Sequence, residues 1–193
     1  MGIGGAVEPV TETGLRAFLE RLGKQYQGTA TFYLLGGGAL CLLGNPRGTM
    51  DLDYWYAIAS EEEAQFKTVV EKLAEEMRLD IEDVPLDEFV PLAPGAYERR
   101  QLVGHFGGIE VYIFDLYTIA LSKIARGFES DVEDVVFMLR EDLIEFDELE
   151  QFFKQVLPQA SQADIIPKEF ENRFAKLRQG TRKLRREKKR RRG

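Results

Sequence analysis

The sequence predicts an α/β (α+β) domain in which helices pack on a small mixed sheet, followed by a basic C-terminal helix or tail. Short apolar runs at residues 32–35 and 109–114 have the length and residue types of buried strands. Residues 50–54 alternate between apolar and acidic side chains, as expected for a strand with two different faces. Residues 12–27 instead place large apolar side chains at helical spacing. With 193 residues and 44% hydrophobic content, the chain can bury a core of this kind.

The first predicted helix, residues 12–27, is followed by a strand that breaks into three glycines. Thr11 or Thr13 can cap the start of the helix and Gly28 can end it. After the glycines, residues 39–43 form a short apolar helix, and a turn cluster at residues 44–48 ends it. Glycines without Cβ atoms let backbone N–H groups approach a ligand, and the start of a helix favours an anion. An anion is therefore expected at Gly36, Gly37 and Gly38.

The next strand carries an acidic pair. Asp51 and Asp53 are two residues apart, so their side chains lie on the same face of the strand. Two neighbouring carboxylates repel each other unless a cation, a proton or water relieves the repulsion. Hard oxygen ligands of this kind suit Mg²⁺, which also keeps waters and binds phosphates. The pair is therefore a candidate metal site, and a solvated sheet edge is its structural alternative.

The second half of the chain begins with a predicted hairpin. Residues 99–106 and 109–114 are its strands, and a Gly-Gly pair forms the turn. Glu110 and Asp115 are acids on opposite faces of the second strand, and Asp115 also fits the N-cap of the helix that follows. Further helices are predicted from Leu116 onward, after Ser130 as an N-cap, and over residues 146–156.

The order strand, Gly-Gly, short helix, turn and Asp-x-Asp strand resembles the nucleotidyltransferase superfamily, the fold of DNA polymerase beta-like enzymes. Leu35 to Leu40 with Arg47 and Thr49 is similar to small bacterial and archaeal families, including relatives of the AbiEii-type abortive-infection toxins. A second block, DLYTIALSKIARGFESDVEDV, resembles the helix of those families in which a lysine precedes an acidic pair. The two blocks cover residues 32–140.

The resemblance implies that one or two Mg²⁺ ions and an NTP such as ATP bind at these blocks. A third carboxylate, Glu110 or Asp115, would activate the acceptor, and Glu110 is the preferred choice and a further metal ligand. An ion pair of Lys123 with Asp131 or Asp134 that braces two helices is the structural alternative for that group. The implied metal ligands are Asp51, Asp53 and Glu110, and the implied nucleotide-binding residues are Gly36, Gly37, Gly38, Arg47, Thr49, Lys123, Arg126, Asp131 and Asp134.

The implied reaction is transfer of a nucleoside monophosphate from an NTP to a hydroxyl of RNA, tRNA included, or of protein, in a toxin–antitoxin or defence system. Many superfamily members carry Ser where this chain has Gly37, so a hydroxyl that helps to hold the triphosphate is missing at that point. This departure leaves a second hypothesis, a catalytically inactive binding protein that acts as an antitoxin-like or RNA-binding partner.

The net charge of −7 conceals a basic C-terminus. Residues 176–193 contain eleven Lys or Arg and one acidic residue, Glu187. Such a segment can bind RNA by neutralising phosphates, or it can dock on acidic surfaces of this protein. The expected organisation is a nucleotidyltransferase-like domain over residues 1–157, a connecting segment over 158–175 and the basic tail over 176–193.

The remaining composition excludes several classes of site. Cys41 is the single cysteine and His105 the single histidine, so an internal disulfide, a Cys/His zinc cluster and a Ser-His-Asp triad are not expected. The N-terminus lacks the pattern of a signal peptide, and no apolar run is long enough for a membrane span. The sequence therefore predicts a cytoplasmic protein with no membrane partner.

Overall fold

The computed structural model describes residues 9–192, without the side chains of residues 188, 189, 191 and 192. The chain forms two compact units. Residues 9–85 and Arg100–Phe114 form the sheet unit, and Leu86–Arg99 with residues 115–192 form the helical unit.

The sheet unit contains five strands and three helices. The strands are β1 (Ala30–Leu34), β2 (Asp51–Ala57), β3 (Asp80–Asp83), β4 (Gln101–Phe106) and β5 (Ile109–Ile113). The helices are α1 (Glu12–Gln25), α2 (Gly36–Leu42) and α3 (Glu63–Met77). The strand order is β3-β2-β1-β5-β4, with β2 antiparallel and β5 parallel to β1, β3 parallel to β2, and β4 antiparallel to β5. The sheet is therefore mixed, as predicted.

One face of the sheet packs on α1 and α3 through aromatic side chains. Phe32 of β1 stacks on Tyr54 of β2 with ring centroids 4.9 Å apart. Phe18 of α1 and Phe66 of α3 contact the same Phe32 ring at 6.5 Å and 6.3 Å. Since side chains alternate along a strand, Asp51 and Asp53 lie on the other face. The core thus fixes which side of the sheet carries the acidic pair.

The helical unit comprises α4 (Leu116–Arg126), α5 (Glu129–Arg140), α6 (Phe146–Val156), a 3₁₀ helix (Leu157–Ala163), α7 (Pro167–Gly180) and α8 (Arg182–Arg192). Helix α4 is buried along most of its length and packs against α5, α6 and α7. Phe153 of α6 stacks on Phe174 of α7 at 4.0 Å and meets Phe170 edge-on at 4.8 Å. These aromatic contacts join α6 to α7.

Most predicted elements are present, with differences at their ends. Helix α6 has the predicted bounds, and Thr11 caps α1 by accepting a hydrogen bond from Gly14 N at 3.1 Å. Ser130 is inside α5, whose N-cap is Phe128, so the expected serine cap there was wrong. Strand β3 was not predicted at all. The expected tail is the end of α7 and helix α8, and no described helix is long and apolar enough to cross a membrane.

Candidate functional site

The glycine turn packs directly against the acidic strand β2. Leu35 N donates a hydrogen bond to Asp53 O at 3.0 Å, which joins the end of β1 to β2. Gly36 has a φ of 50°, a conformation that favours glycine, and a Cβ at this position would overlap Asp53 Oδ2. The turn can therefore approach the Asp53 carboxylate only because residue 36 has no side chain.

Thr49 occupies the space beside the second glycine. A Cβ on Gly37 would lie 2.6 Å from both Cβ and Oγ1 of Thr49. Thr49 Oγ1 in turn donates a hydrogen bond to Asp51 Oδ1 at 2.6 Å. A side chain at position 37 would therefore meet Thr49, whose hydroxyl reaches one of the two acids.

Asp51 and Asp53 share a face of β2 but differ in exposure. Asp51 is exposed at the start of the strand, whereas Asp53 is 8% exposed. Two residues along a strand separate their Cα atoms by about 6.6 Å. Arg47 is exposed in the loop before β2, and its backbone N–H donates to Asn45 Oδ1 at 3.2 Å. The glycine turn, Thr49 and the acidic pair therefore form one contiguous group at this end of the sheet.

Strand β3 adds two acids that the sequence analysis missed. Asp80 is in register with Asp51, and Glu82 is in register with Asp53. Aligned residues of neighbouring parallel strands lie on the same face, with Cα atoms about 4.8 Å apart. Asp80 and Glu82 are both exposed. The signal was the alternation acid, apolar, acid at residues 80–82, which repeats that of residues 51–53.

Glu110 is on the same face of the sheet but at the other end of the strands. It is in register with Thr31 of β1, which pairs with Ala57 of β2. Four residues separate Ala57 from Asp53, so Glu110 is displaced along the strands by about 13 Å. Its carboxylate accepts a hydrogen bond from Tyr112 Oη at 3.2 Å and lines a cavity of about 470 Å³. The structure does not bring Glu110 together with Asp51 and Asp53.

The acidic pair offers Mg²⁺ two protein carboxylates. Among residues 9–192, no three Asp, Glu, His or Cys side chains converge so that they could hold a metal ion. Mg²⁺ does not require such a cage, because it commonly takes one or two protein carboxylates and fills its remaining positions with water and substrate phosphate. Asp51 and Asp53 fit this requirement, and the overlap at Gly36 shows that the site is shaped around the Asp53 carboxylate.

Asp115 is the N-cap of α4 and is fully buried. It accepts hydrogen bonds from Arg99 Nε at 2.8 Å and Arg99 Nη2 at 2.7 Å. It also accepts from Thr118 Oγ1 at 2.8 Å and from the backbone N–H groups of Tyr117 and Thr118. The hydrogen bonds that Arg99 donates to Asp115 raise the pKa of the Arg99 guanidinium. The carboxylate is saturated by partners in the helical unit, and the predicted N-cap is confirmed.

The lysine and acids of the second block lie together between α4 and α5. Lys123 is 2% exposed, and its Nζ is 2.7 Å from Asp134 Oδ2 and 3.4 Å from Asp131 Oδ1. Arg126 Nη2 is 2.8 Å from the same Asp131 oxygen. Within the described part of the chain, Asp131 Oδ2 and Arg126 Nε are buried without a hydrogen-bond partner. This is the geometry of an ion-pair network that braces two helices, and Arg126, at 32% exposure, is its most accessible side chain.

Comparisons with known proteins place these features in a family. No curated protein matches the chain. A solved structure described as an antigenic nucleotidyltransferase-like protein from Paracoccidioides brasiliensis is similar at 15% identity and a TM-score of 0.47, over 85% of this chain and 95% of that one. The family model "Nucleotidyltransferase of unknown function (DUF6036)" matches residues 14–163, which include the glycine turn, the acidic strands and the Lys123 network. The chain therefore belongs to this nucleotidyltransferase family of unknown function.

Proposed function

We propose that this protein transfers a nucleoside monophosphate from an NTP to a hydroxyl group. The observation that carries the proposal is the packing of the glycine turn on the acidic strand, in which Gly36 fits against Asp53 and Thr49 bridges Gly37 to Asp51. A phosphate-binding turn and a pair of metal-binding carboxylates need to be adjacent for phosphoryl transfer, because the metal and the turn hold the same phosphates.

Asp51 and Asp53 would hold one or two Mg²⁺ ions. When bound, Mg²⁺ neutralises phosphate charge and orients the triphosphate for in-line attack. Backbone N–H groups of residues 36–38 would bind phosphate oxygens, and Thr49 would orient the Asp51 carboxylate through its 2.6 Å hydrogen bond. The exposed side chain of Arg47 would add a positive charge from the loop before β2.

For the third carboxylate we favour Glu82 over both acids named from the sequence. Glu82 is aligned with Asp53 on the neighbouring strand, whereas Glu110 is about 13 Å further along the sheet. Asp115 is buried and saturated by Arg99 and the start of α4. An exposed carboxylate beside the acidic pair is suited to accept the proton of an attacking hydroxyl.

In the Lys123 network, we assign the phosphate-binding role that the family resemblance implies to Arg126. Its side chain is 32% exposed, whereas those of Lys123, Asp131 and Asp134 are at most 4% exposed. The three buried groups would then hold the Arg126 guanidinium in place. In this assignment the exposed arginine contacts phosphate, and the buried residues position it.

The acceptor that we favour is a hydroxyl of RNA, tRNA included. A protein hydroxyl and a role in a toxin–antitoxin or defence system are the alternatives that the resemblance to AbiEii-type toxins implies. The burial of Lys123 in ion pairs favours a second candidate function, a binding protein that has kept the fold without catalysis, since a buried lysine is not available to phosphates.

The test is incubation with each α-labelled NTP, Mg²⁺ and either total tRNA or cell extract, followed by detection of labelled product. Asp51→Asn with Asp53→Asn should abolish both transfer and Mg²⁺-dependent NTP binding without lowering stability, because two repelling carboxylates are removed. Glu71→Gln with Glu75→Gln, two exposed acids on α3, makes the same change in charge and should have no effect. NTP binding without transfer to any acceptor would support the binding protein, and a large loss of stability in the Asp51/Asp53 variant would make the pair structural.

A further inference from the structure

The cations of the last helix, α8, fall into two groups, one packed on α6 and one exposed. Arg185 of α8 stacks on Phe146 of α6, with its guanidinium carbon 3.7 Å from the ring centroid, and its Nη2 is 3.4 Å from Asp147 Oδ1. Arg178 of α7 pairs with Glu150 of α6. These two arginines attach the C-terminal helices to α6. The start of α8 is therefore packed on the helical unit. This packing holds the remaining cations of α8 in a defined position.

The other described cations of α8 form an exposed stripe. Arg182, Lys183, Arg186 and Arg190 are exposed, and no acidic partner pairs with them in the part of the chain that the structure describes. At 3.6 residues per turn, they fall within an arc of about 100°. Leu184 and Arg185 lie outside this arc and are half-buried. We call the four exposed cations the α8 stripe.

The spacing of the stripe suits a phosphate backbone. Residues 182 and 190 are about 12 Å apart along the helix axis, so four positive charges occur over that length. One strand of a duplex carries one phosphate per about 3.4 Å, a similar linear density. A membrane surface is a poorer partner, because an interfacial helix needs a broad apolar face and α8 has Leu184 as its single large apolar residue.

We propose that the α8 stripe binds the phosphate backbone of RNA. The choice of RNA over DNA rests on the proposed function, in which RNA supplies the acceptor hydroxyl, whereas the phosphate contacts rest on the stripe alone. Lys and Arg contacts to phosphates position a strand without reading its bases. The stripe would therefore recruit RNA of any sequence.

The test measures the affinity of the full chain for a labelled single-stranded RNA 20-mer between 50 and 200 mM salt. Four phosphate contacts give a slope of log affinity against log salt of about −2.8, which is about a 50-fold loss over this range. Changing Arg182, Arg186 and Arg190 together to Gln should reduce the magnitude of the slope by about 2.1. Changing the same three residues to Lys keeps the charges and should keep the slope.

A matched control changes exposed cations outside the stripe. Lys24→Gln, Lys72→Gln and Lys168→Gln remove the same charge from α1, α3 and α7. This control should keep the wild-type slope, and an equal fall in both triple variants would overturn the proposal, because net charge rather than the stripe would then be responsible. The proposal would also be overturned if the protein bound anionic phospholipid vesicles or an acidic peptide but did not bind the RNA.

Two further arms separate this proposal from the proposed function. A DNA 20-mer of the same sequence should bind with a similar slope, because phosphate contacts alone do not distinguish DNA from RNA. Nucleotidyl transfer to the DNA and not to the RNA would overturn the choice of RNA. Asp51→Asn with Asp53→Asn should lose transfer and keep the RNA slope, whereas the Gln variant of the stripe should keep NTP binding. RNA binding that disappears with the acidic pair would place the RNA contact at that pair and overturn the role of α8.

Discussion

A side chain at Gly37 should disrupt the link between the glycine turn and the acidic strand. A Cβ there would be 2.6 Å from Thr49 Cβ, about 1 Å closer than the best carbon–carbon separation. Gly37 has no positive φ, so Gly37→Ala tests this contact without backbone strain. We expect a loss of about 1 to 3 kcal/mol in the free energy of unfolding, typical of overpacking. The thermal midpoint should fall by about 2 to 4 °C for each kcal/mol.

A double-mutant cycle tests whether Thr49 is the cause. Thr49→Gly removes the Cβ that Gly37→Ala would meet, so the double variant should recover at least about 1 kcal/mol relative to the sum of the two single changes. Thr49→Val keeps the shape and removes the hydrogen bond to Asp51, so it should lower NTP binding with little change in stability. Additive effects of Gly37→Ala and Thr49→Gly on unfolding would refute the close contact between position 37 and Thr49.

Two other substitutions distinguish residues that take part in nucleotidyl transfer from residues that stabilise the fold. Glu82→Gln should lower the turnover rate of nucleotidyl transfer far more than NTP affinity, whereas Glu110→Gln should change neither, and the reverse result would contradict the strand register as a guide to the third acid. Lys123→Met should destabilise the protein by about 3 to 5 kcal/mol in urea unfolding, because it removes the lysine that pairs with the buried carboxylates of Asp131 and Asp134, while Asp131 keeps its ion pair with Arg126. Adding Asp134→Asn should recover part of that loss. A stable Lys123→Met protein that no longer binds NTP would instead make Lys123 a phosphate ligand.

The acidic pair could be predicted from sequence because its evidence is local. Alternation over residues 50–54 fixes the shared face of Asp51 and Asp53 whatever the rest of the sheet does. The same holds for the N-cap at Asp115, which depends on the few residues after it. Helix α6 was also predicted correctly, because its apolar spacing lies within one segment.

The third acid depends on strand order and register, which a single sequence does not give. Glu110, Glu82 and Asp53 all lie on the same face of the sheet. The pairing of β5 with β1 and of β1 with β2 shows that Glu110 is distant from Asp53, and the pairing of β3 with β2 shows that Glu82 is adjacent to it. Strand β3 was missed because it is only four residues long and lies between the end of α3 at Met77 and a proline-containing segment. The contact between Gly37 and Thr49 likewise joins residues that are twelve positions apart in the chain, so the sequence alone does not show it.

The position of β3 has a consequence for self-association. It is an edge strand, and an edge can pair with a strand of another molecule. Its short length and the exposed charges of Asp80 and Glu82 oppose such pairing. Neutralising these acids to test catalysis therefore also weakens a barrier to aggregation, so an inactive Glu82→Gln protein is informative only after sedimentation has shown it to be as dispersed as the wild type.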